Sequence, residues 1–75
     1  MIYNVTAYQE NKHLFNVRAC HIDIDDLQTT IYTSKQFGNN TIRFIHTLKS
    51  VNICQGIITA YYCNDDYLII TKVHD

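Results

Sequence analysis

The segment from Ser34 to Val51 most constrains the fold, because it can form either one helix or two strands. As a helix it begins with Ser34 as the capping residue. Its inward side chains would then lie on one stripe at helical spacing, made up of Phe37, Thr41, Phe44, Ile45 and Leu48. As strands, it turns at Gly38-Asn39-Asn40 and continues from Thr41 to Lys49, with Ile42, Phe44, His46 and Leu48 on one face. The continuous stripe favours a helix from Lys35 to Ser50.

The segments before it alternate apolar and polar residues, which is the period of strands with one buried face. Ile2 to Tyr8 and Leu14 to Ile24 form a predicted antiparallel hairpin. The apolar positions of its second strand shift by one residue after Ala19, which predicts a β-bulge near Ala19-Cys20. A strand that leaves one hydrophobic layer for another would give the same pattern. Leu27 to Ser34 is a third predicted strand, since its run of Thr, Ile and Tyr favours a pleated surface over a helix.

A last predicted hairpin runs from Ile57 to Val73 and carries large apolar side chains on both faces. With a turn at Asn64-Asp65-Asp66, one face holds Ile58, Tyr62, Leu68 and Ile70. The other face holds Ile57, Tyr61, Tyr67, Ile69 and Val73. A single helix covers one face of a sheet, so the second face needs a second copy of the chain or another protein.

These elements predict a single α+β domain over residues 1–75, with a small antiparallel sheet of four to five strands in the order β-β-β-α-β-β. The one helix packs on one face of the sheet. The alternative is an all-β, six-stranded antiparallel meander or barrel, because turn signals recur along the chain. With 75 residues the core is modest, and association into a homodimer is therefore expected.

Candidate chemistry is sparse. His21, Asp23 and Asp25 occupy alternate positions of a predicted strand, and these ligand types suit Mg²⁺ or Mn²⁺ in a metal-dependent enzyme. Carboxylates are common beside turns for local hydrogen bonding, so a solvated strand face is the favoured interpretation. No Gly-rich phosphate loop, nucleophile turn or zinc-protease motif occurs. We expect no enzyme, no metal and no cofactor.

The three cysteines, Cys20, Cys54 and Cys63, are an odd number without close spacing. They could join His21 or His74 in a zinc site, but no pair has the spacing that makes such sites recognisable. We interpret them as reduced, mostly buried small hydrophobes.

The tyrosines of the last hairpin predict a binding surface. Tyr61, Tyr62 and Tyr67 with Lys72 and Arg43 could stack single-stranded nucleic acid, but six basic residues against seven acidic ones make a poor phosphate track. Tyrosine-rich surfaces with few charges are typical of protein interfaces. We therefore predict a protein-binding site at Ile57, Tyr61, Tyr67 and Ile69, with single-stranded nucleic acid as the alternative ligand.

The expected function is that of a small regulatory protein that inhibits a host protein by binding it. The richness in Ile, Asn and Tyr is typical of AT-rich genomes, and many phages and mobile elements have such genomes. No apolar run is long enough to span a membrane, and the N-terminus lacks a signal-peptide pattern. A cytoplasmic protein without membrane contacts is expected.

Overall fold

The computed structural model describes residues 2–33 and 40–74, and these residues form seven β-strands and no helix. All neighbouring strands pair antiparallel in one sheet of order β4-β3-β2-β1-β7-β6-β5. The strands are β1 (Ile2–Gln9), β2 (Lys12–Ile24), β3 (Thr29–Thr33), β4 (Thr41–Phe44), β5 (Leu48–Cys54), β6 (Ile57–Tyr62) and β7 (Asp66–His74).

The predicted α+β class is therefore wrong, and so is the predicted helix over residues 40–50. Strand β4, a three-residue connection and the start of β5 occupy that part, while residues 35–39 lie outside the described residues. The expected stripe does not exist, because Phe44 is buried and its neighbour Ile45 is 67% exposed. Thr41-Ile42-Arg43-Phe44 is rich in β-branched and aromatic side chains, which fit a pleated surface better than a helix.

The all-β alternative is closer but differs in strand number. The predicted strand from Thr41 to Lys49 is interrupted at residues 45–47, which separate β4 from β5. Beyond Lys49, where the predicted strand ends, β5 continues to Cys54. The sheet thus has seven strands, neither the four to five of the main prediction nor the six of the alternative.

The order of the strands requires the sheet to curl. Strands β4 and β5 lie at opposite edges, yet only residues 45–47 connect them. Across a flat seven-stranded sheet the two edges would lie about 29 Å apart. Three linking residues reach at most about 14 Å. The sheet therefore bends into a barrel-like shape, and the Leu48 N–H donates to the Asp26 carbonyl at 2.7 Å where the curled sheet comes together.

Strand β2 forms a corner of this curled sheet. It pairs with β1 up to Ala19 and with β3 from Ala19 to Ile24, and the register shifts between Ala19 and His21. This irregularity confirms the predicted bulge at Ala19-Cys20. The extra residue re-aims the strand, so that the first part of β2 belongs to one half of the sheet, with β1, β7, β6 and β5, and its last part belongs to the other half, with β3 and β4.

The core lies on the inner, concave side. Ala7, Ala19 and Ala60 are fully buried there in one cluster with larger side chains, and small barrels often alternate small and large inward-facing residues in this way. The predicted inner face of the last hairpin is confirmed: Tyr62, Leu68 and Ile70 are buried, and Ile58 packs against the core. Within the part of the chain that the structure describes, the other buried apolar residues are Val5, Ile31 and Phe44.

A hydrogen-bonded cluster fixes the connection between β4 and β5. The Asp66 side chain is 3% exposed, and its Oδ2 lies 3.3 Å from His46 Nε2 and 3.0 Å from Asn64 Nδ2. Asn64 Nδ2 also lies 3.1 Å from His46 Nδ1. A neutral imidazole that accepts at Nδ1 and donates from Nε2 satisfies both contacts. The cluster ties residue 46 to the turn between β6 and β7.

Candidate protein-binding face

The four predicted binding residues lie together on the convex side of the sheet, opposite the core. Ile57 and Tyr61 belong to β6 and are 44% and 41% exposed. Tyr67 and Ile69 belong to the neighbouring strand β7 and are half-buried. The strand register places Tyr61 opposite Tyr67, and Ile69 opposite Thr59. The strand register thus brings these four residues onto one surface.

A row of aromatic rings crosses four strands at this surface. The Tyr61 and Tyr67 ring centroids lie 6.1 Å apart, and the Tyr67 and Tyr8 rings stack at 4.8 Å with an interplanar angle of 15°. His13 of β2 meets Tyr8 edge-on at 5.8 Å. Each of these contacts joins residues that are directly paired across the sheet. Aromatic pairs in this geometry stabilise a sheet and also present a broad rigid surface.

The aromatic row also contains Tyr8 and His13, which are not among the four predicted binding residues. The alternation of β1 places Tyr8 on the side opposite Val5 and Ala7, but only the strand order shows that β1 lies between β2 and β7. The first and last hairpins of the chain thus join through a β1–β7 pairing that no local pattern indicates.

Two further rows of paired residues continue this surface along the strands. We call the three rows together the outer face. The first consists of His13, Tyr8, Tyr67, Tyr61 and Ser50, the second of Asn16, Thr6, Ile69, Thr59 and Asn52, and the third of Arg18, Asn4, Thr71, Ile57 and Cys54. None of these residues is fully buried, and the Asn16 amide donates to the Thr6 hydroxyl at 2.7 Å.

The outer face is almost free of formal charge. Arg18 is the only Lys, Arg, Asp or Glu among the residues of the three rows, and it lies in β2 on the far side of β1 from the tyrosine pair of β6 and β7. The remainder is Thr, Asn, Tyr, Ile, Ser, Cys and His. Such a surface can bury its apolar rings without desolvating ions, which would be costly.

The ring geometry also bears on nucleic-acid binding. Stacking of a base requires an aromatic ring whose face is open to solvent. Tyr8 and Tyr67 stack on each other, so each ring has one face occupied by the other. Of the residues proposed for a stacking platform, Tyr62 is buried in the core and Arg43 lies in β4, at the far edge of the sheet.

The candidate metal ligands do not converge. His21 Nε2 lies 3.0 Å from Asp23 Oδ1, and both side chains are more than half exposed. Within the described ranges no group of three or more His, Cys, Asp or Glu side chains is arranged to hold a metal ion. The His21–Asp23 contact is what an exposed strand face with local hydrogen bonding would form.

The interpretation of the cysteines as buried is wrong. Cys20, Cys54 and Cys63 are all free and exposed. Cys20 is the extra residue of the bulge in β2, Cys54 ends the edge strand β5, and Cys63 lies in the turn after β6. Alternation does not decide which way Cys20 and Cys63 point, because one lies at an irregularity and the other after a strand end, whereas the register of β5 places Cys54 on the outer face.

An open apolar cavity of about 230 Å³ lies on the inner side of the sheet. Its walls come from β1, β2, β6 and β7 and consist of Tyr3, His21, Ile22, Ile24, Ile58 and Ile70. Ile58 is paired with Ile53 of β5, which is 70% exposed. The apolar inner surface thus continues from the cavity to the edge of the sheet.

Comparison with protein-family models found no match for this chain, and comparisons with curated proteins and with solved structures found none either. In the part of the chain that the structure describes, no helix has the length and apolar character needed to cross a membrane.

Proposed function

We propose that this protein works by binding another protein through its outer face, as a homodimer and without catalysis. The observation that carries the proposal is the aromatic row His13, Tyr8, Tyr67 and Tyr61 on a surface with a single formal charge. A chain of 75 residues with such a surface would act as a regulator that covers part of its target, in keeping with the inhibition of a host protein.

Composition and geometry of the outer face support a protein ligand. Interface centres are depleted in charge and enriched in tyrosine, which supplies a large rigid contact area at low entropic cost. Tyr61 and Ile57 are exposed while their neighbours Tyr67 and Ile69 are half-buried, so the pair stands out from a rigid base. A ligand that covers this pair would bury apolar area on a preorganised surface.

The proposal is tested by capture from a host lysate with immobilised protein and matched variants. Tyr61→Arg and Ile57→Arg each place a charge in the apolar part of the outer face. Leu27→Arg is the control, because Leu27 is 70% exposed and lies between β2 and β3, outside the outer face. We expect a protein that is retained by the wild type and by Leu27→Arg and lost with both outer-face variants, while circular dichroism shows that all variants fold.

A protein retained equally by all variants would overturn the proposal for this face. Nuclease treatment separates the alternative: if the retained material disappears with nuclease and its binding declines steeply with salt, the ligand is nucleic acid.

A further inference from the structure

Strand β5 is an open edge of the sheet. It pairs with β6 on one side, and in the described part of the chain no strand pairs with its other side. Edge strands are ordinarily protected by charge, proline or short length. The opposite edge strand, β4, has four residues and carries Arg43, whereas the stretch from Ser50 to Cys54 in β5 is exposed and contains neither charge nor proline.

The inner side of this edge carries exposed apolar side chains. Val51 pairs with the buried Ala60, and Ile53 pairs with Ile58, so both belong to the inner side of the sheet. They are nevertheless 42% and 70% exposed. The inner side of β5 is therefore apolar but left uncovered by the described part of the chain.

The backbone N–H and C=O groups of the same two residues point toward the open edge of the sheet. The turn after β5 consists of Gln55 and Gly56 with φ of 51° and 80°, which is a two-residue hairpin turn of type I′. In such a hairpin the flanking pair, Cys54 and Ile57, exchanges both hydrogen bonds, and the pattern alternates along the strands. Val51 and Ile53 then direct their N–H and C=O groups away from β6.

We propose that β5 pairs antiparallel with β5 of a second copy of this chain, around a twofold axis at Asn52. This register places Val51 opposite Ile53 of the second copy, and Ile53 opposite its Val51. The two pairs would form four backbone hydrogen bonds. They would also join four apolar side chains on the inner side, and Ser50 would lie opposite Cys54.

Self-complementarity selects the second copy as the occupant. In this register every paired residue from Ser50 to Cys54 is uncharged, so no like charges meet. A twofold axis at Val51 would instead place Lys49 opposite Ile53, and Lys49 lies in the irregular part of β5, where the register shifts between Leu48 and Ser50.

This pairing rests on the homodimer part of the proposed function and not on the ligand of the outer face. It would join the outer faces of two copies along one continuous sheet, since Ser50, Asn52 and Cys54 form the β5 end of each row. The dimer would then present two aromatic rows, which raises avidity toward a target that itself carries two binding sites.

Cross-linking tests the register in a background in which Cys20, Cys54 and Cys63 are replaced by Ser. In Asn52→Cys, the new cysteine would lie opposite the cysteine at position 52 of the second copy. The two residues form a pair that is not hydrogen-bonded, with a Cα separation of about 4.5 Å, and this distance is within the range of disulfides. Oxidised glutathione should convert this variant to a covalent dimer. Val51→Cys, the matched control, should form little disulfide-linked dimer, because Val51 lies opposite Ile53 of the second copy and not opposite Val51 of that copy.

Sedimentation tests the edge without cysteine chemistry. The wild type should sediment at twice the chain mass of 8.8 kDa. Ile53→Lys should weaken the dimer by about tenfold or more, since it places a charge in the apolar contact, and Leu27→Lys should leave it unchanged.

A monomeric wild type would overturn both this pairing and the homodimer part of the proposed function. A dimer that survives Ile53→Lys, an efficient cross-link at Val51→Cys, or an extended peptide bound at β5 of a monomer would overturn this pairing alone.

Discussion

Single residues inside the sheet decide how its two halves meet. Tyr62 of β6 is 1% exposed, and its hydroxyl group shares a hydrogen bond with the Thr29 hydroxyl group of β3. The Phe44 ring meets Tyr62 edge-on at 4.9 Å. Burial raises the pKa of the Tyr62 phenol above its usual 10.0, while the bond to Thr29 acts in the opposite direction. Tyr62 thus forms a polar contact with Thr29 across a largely apolar core.

Tyr62→Phe should lower the free energy of unfolding at pH 7 by about 1 to 2 kcal/mol, since the buried Thr29 hydroxyl loses its partner.

Tyr62→Phe should also change how stability responds to alkali. Because the folded state raises the pKa of Tyr62, the stability tied to its proton is fully present below pH 10.0 and is lost as pH rises through the folded pKa. Urea unfolding at pH values above 10.0 should show that the free energy of unfolding declines less steeply with pH for Tyr62→Phe than for the wild type. An equally steep decline in both proteins would contradict the raised pKa of Tyr62.

At the scale of elements, turn geometry sets the register of the hairpins. Glu10, Gln55 and Asp65 have φ of 56°, 51° and 69°, so each of three turns contains a non-glycine residue in the left-handed region. Among the described residues, only the turn between β5 and β6 has two residues with positive φ in succession, Gln55 and Gly56. Asn-Gly is the preferred pair for this turn, so the sequence Gln-Gly is a weak version of the signal.

Two substitutions in this turn should have opposite effects. Gly56→Ala should lower stability by about 1 kcal/mol through backbone strain alone, because a Cβ added at Gly56 meets no atom within 4 Å. Gln55→Asn should raise stability by a few tenths of a kcal/mol, since Asn tolerates positive φ. Thermal unfolding of both variants checks the pair, and a stabilising Gly56→Ala would exclude the type I′ turn.

At the scale of the molecule, we expect the short connection at residues 45–47 to make the curled sheet unfold as one cooperative unit. Phe44 precedes this connection and contacts His46 at 4.7 Å as well as Tyr62, while the His46–Asp66–Asn64 cluster holds its middle residue. Each half of the sheet thus buries its inner side chains against the other half. Neither half has a complete core of its own.

Phe44→Leu should therefore lower the free energy of unfolding of the whole molecule by about 1 to 2 kcal/mol. Far-UV circular dichroism and tyrosine fluorescence should report the same midpoint, and the folded spectrum should be that of a sheet. The adjacent control, Ile45→Ala at a position 67% exposed, should shift stability by less than about 0.5 kcal/mol. Separate midpoints for the two signals would mean that the halves fold independently.

The sequence by itself determined local features: the strands of the first and last hairpins, the bulge at Ala19-Cys20, and the placement of Ile57, Tyr61, Tyr67 and Ile69 on one face. These follow from a period of two, which depends only on neighbours along the chain. Only the tertiary structure decided the conformation of residues 40–50, the partners of β1 and the exposure of the cysteines. A short apolar run such as Thr41 to Leu48 is compatible with a helix or with strands. Closure of the sheet through Phe44 and Tyr62 selects the strands, because it buries Phe44 against residues that are distant in sequence.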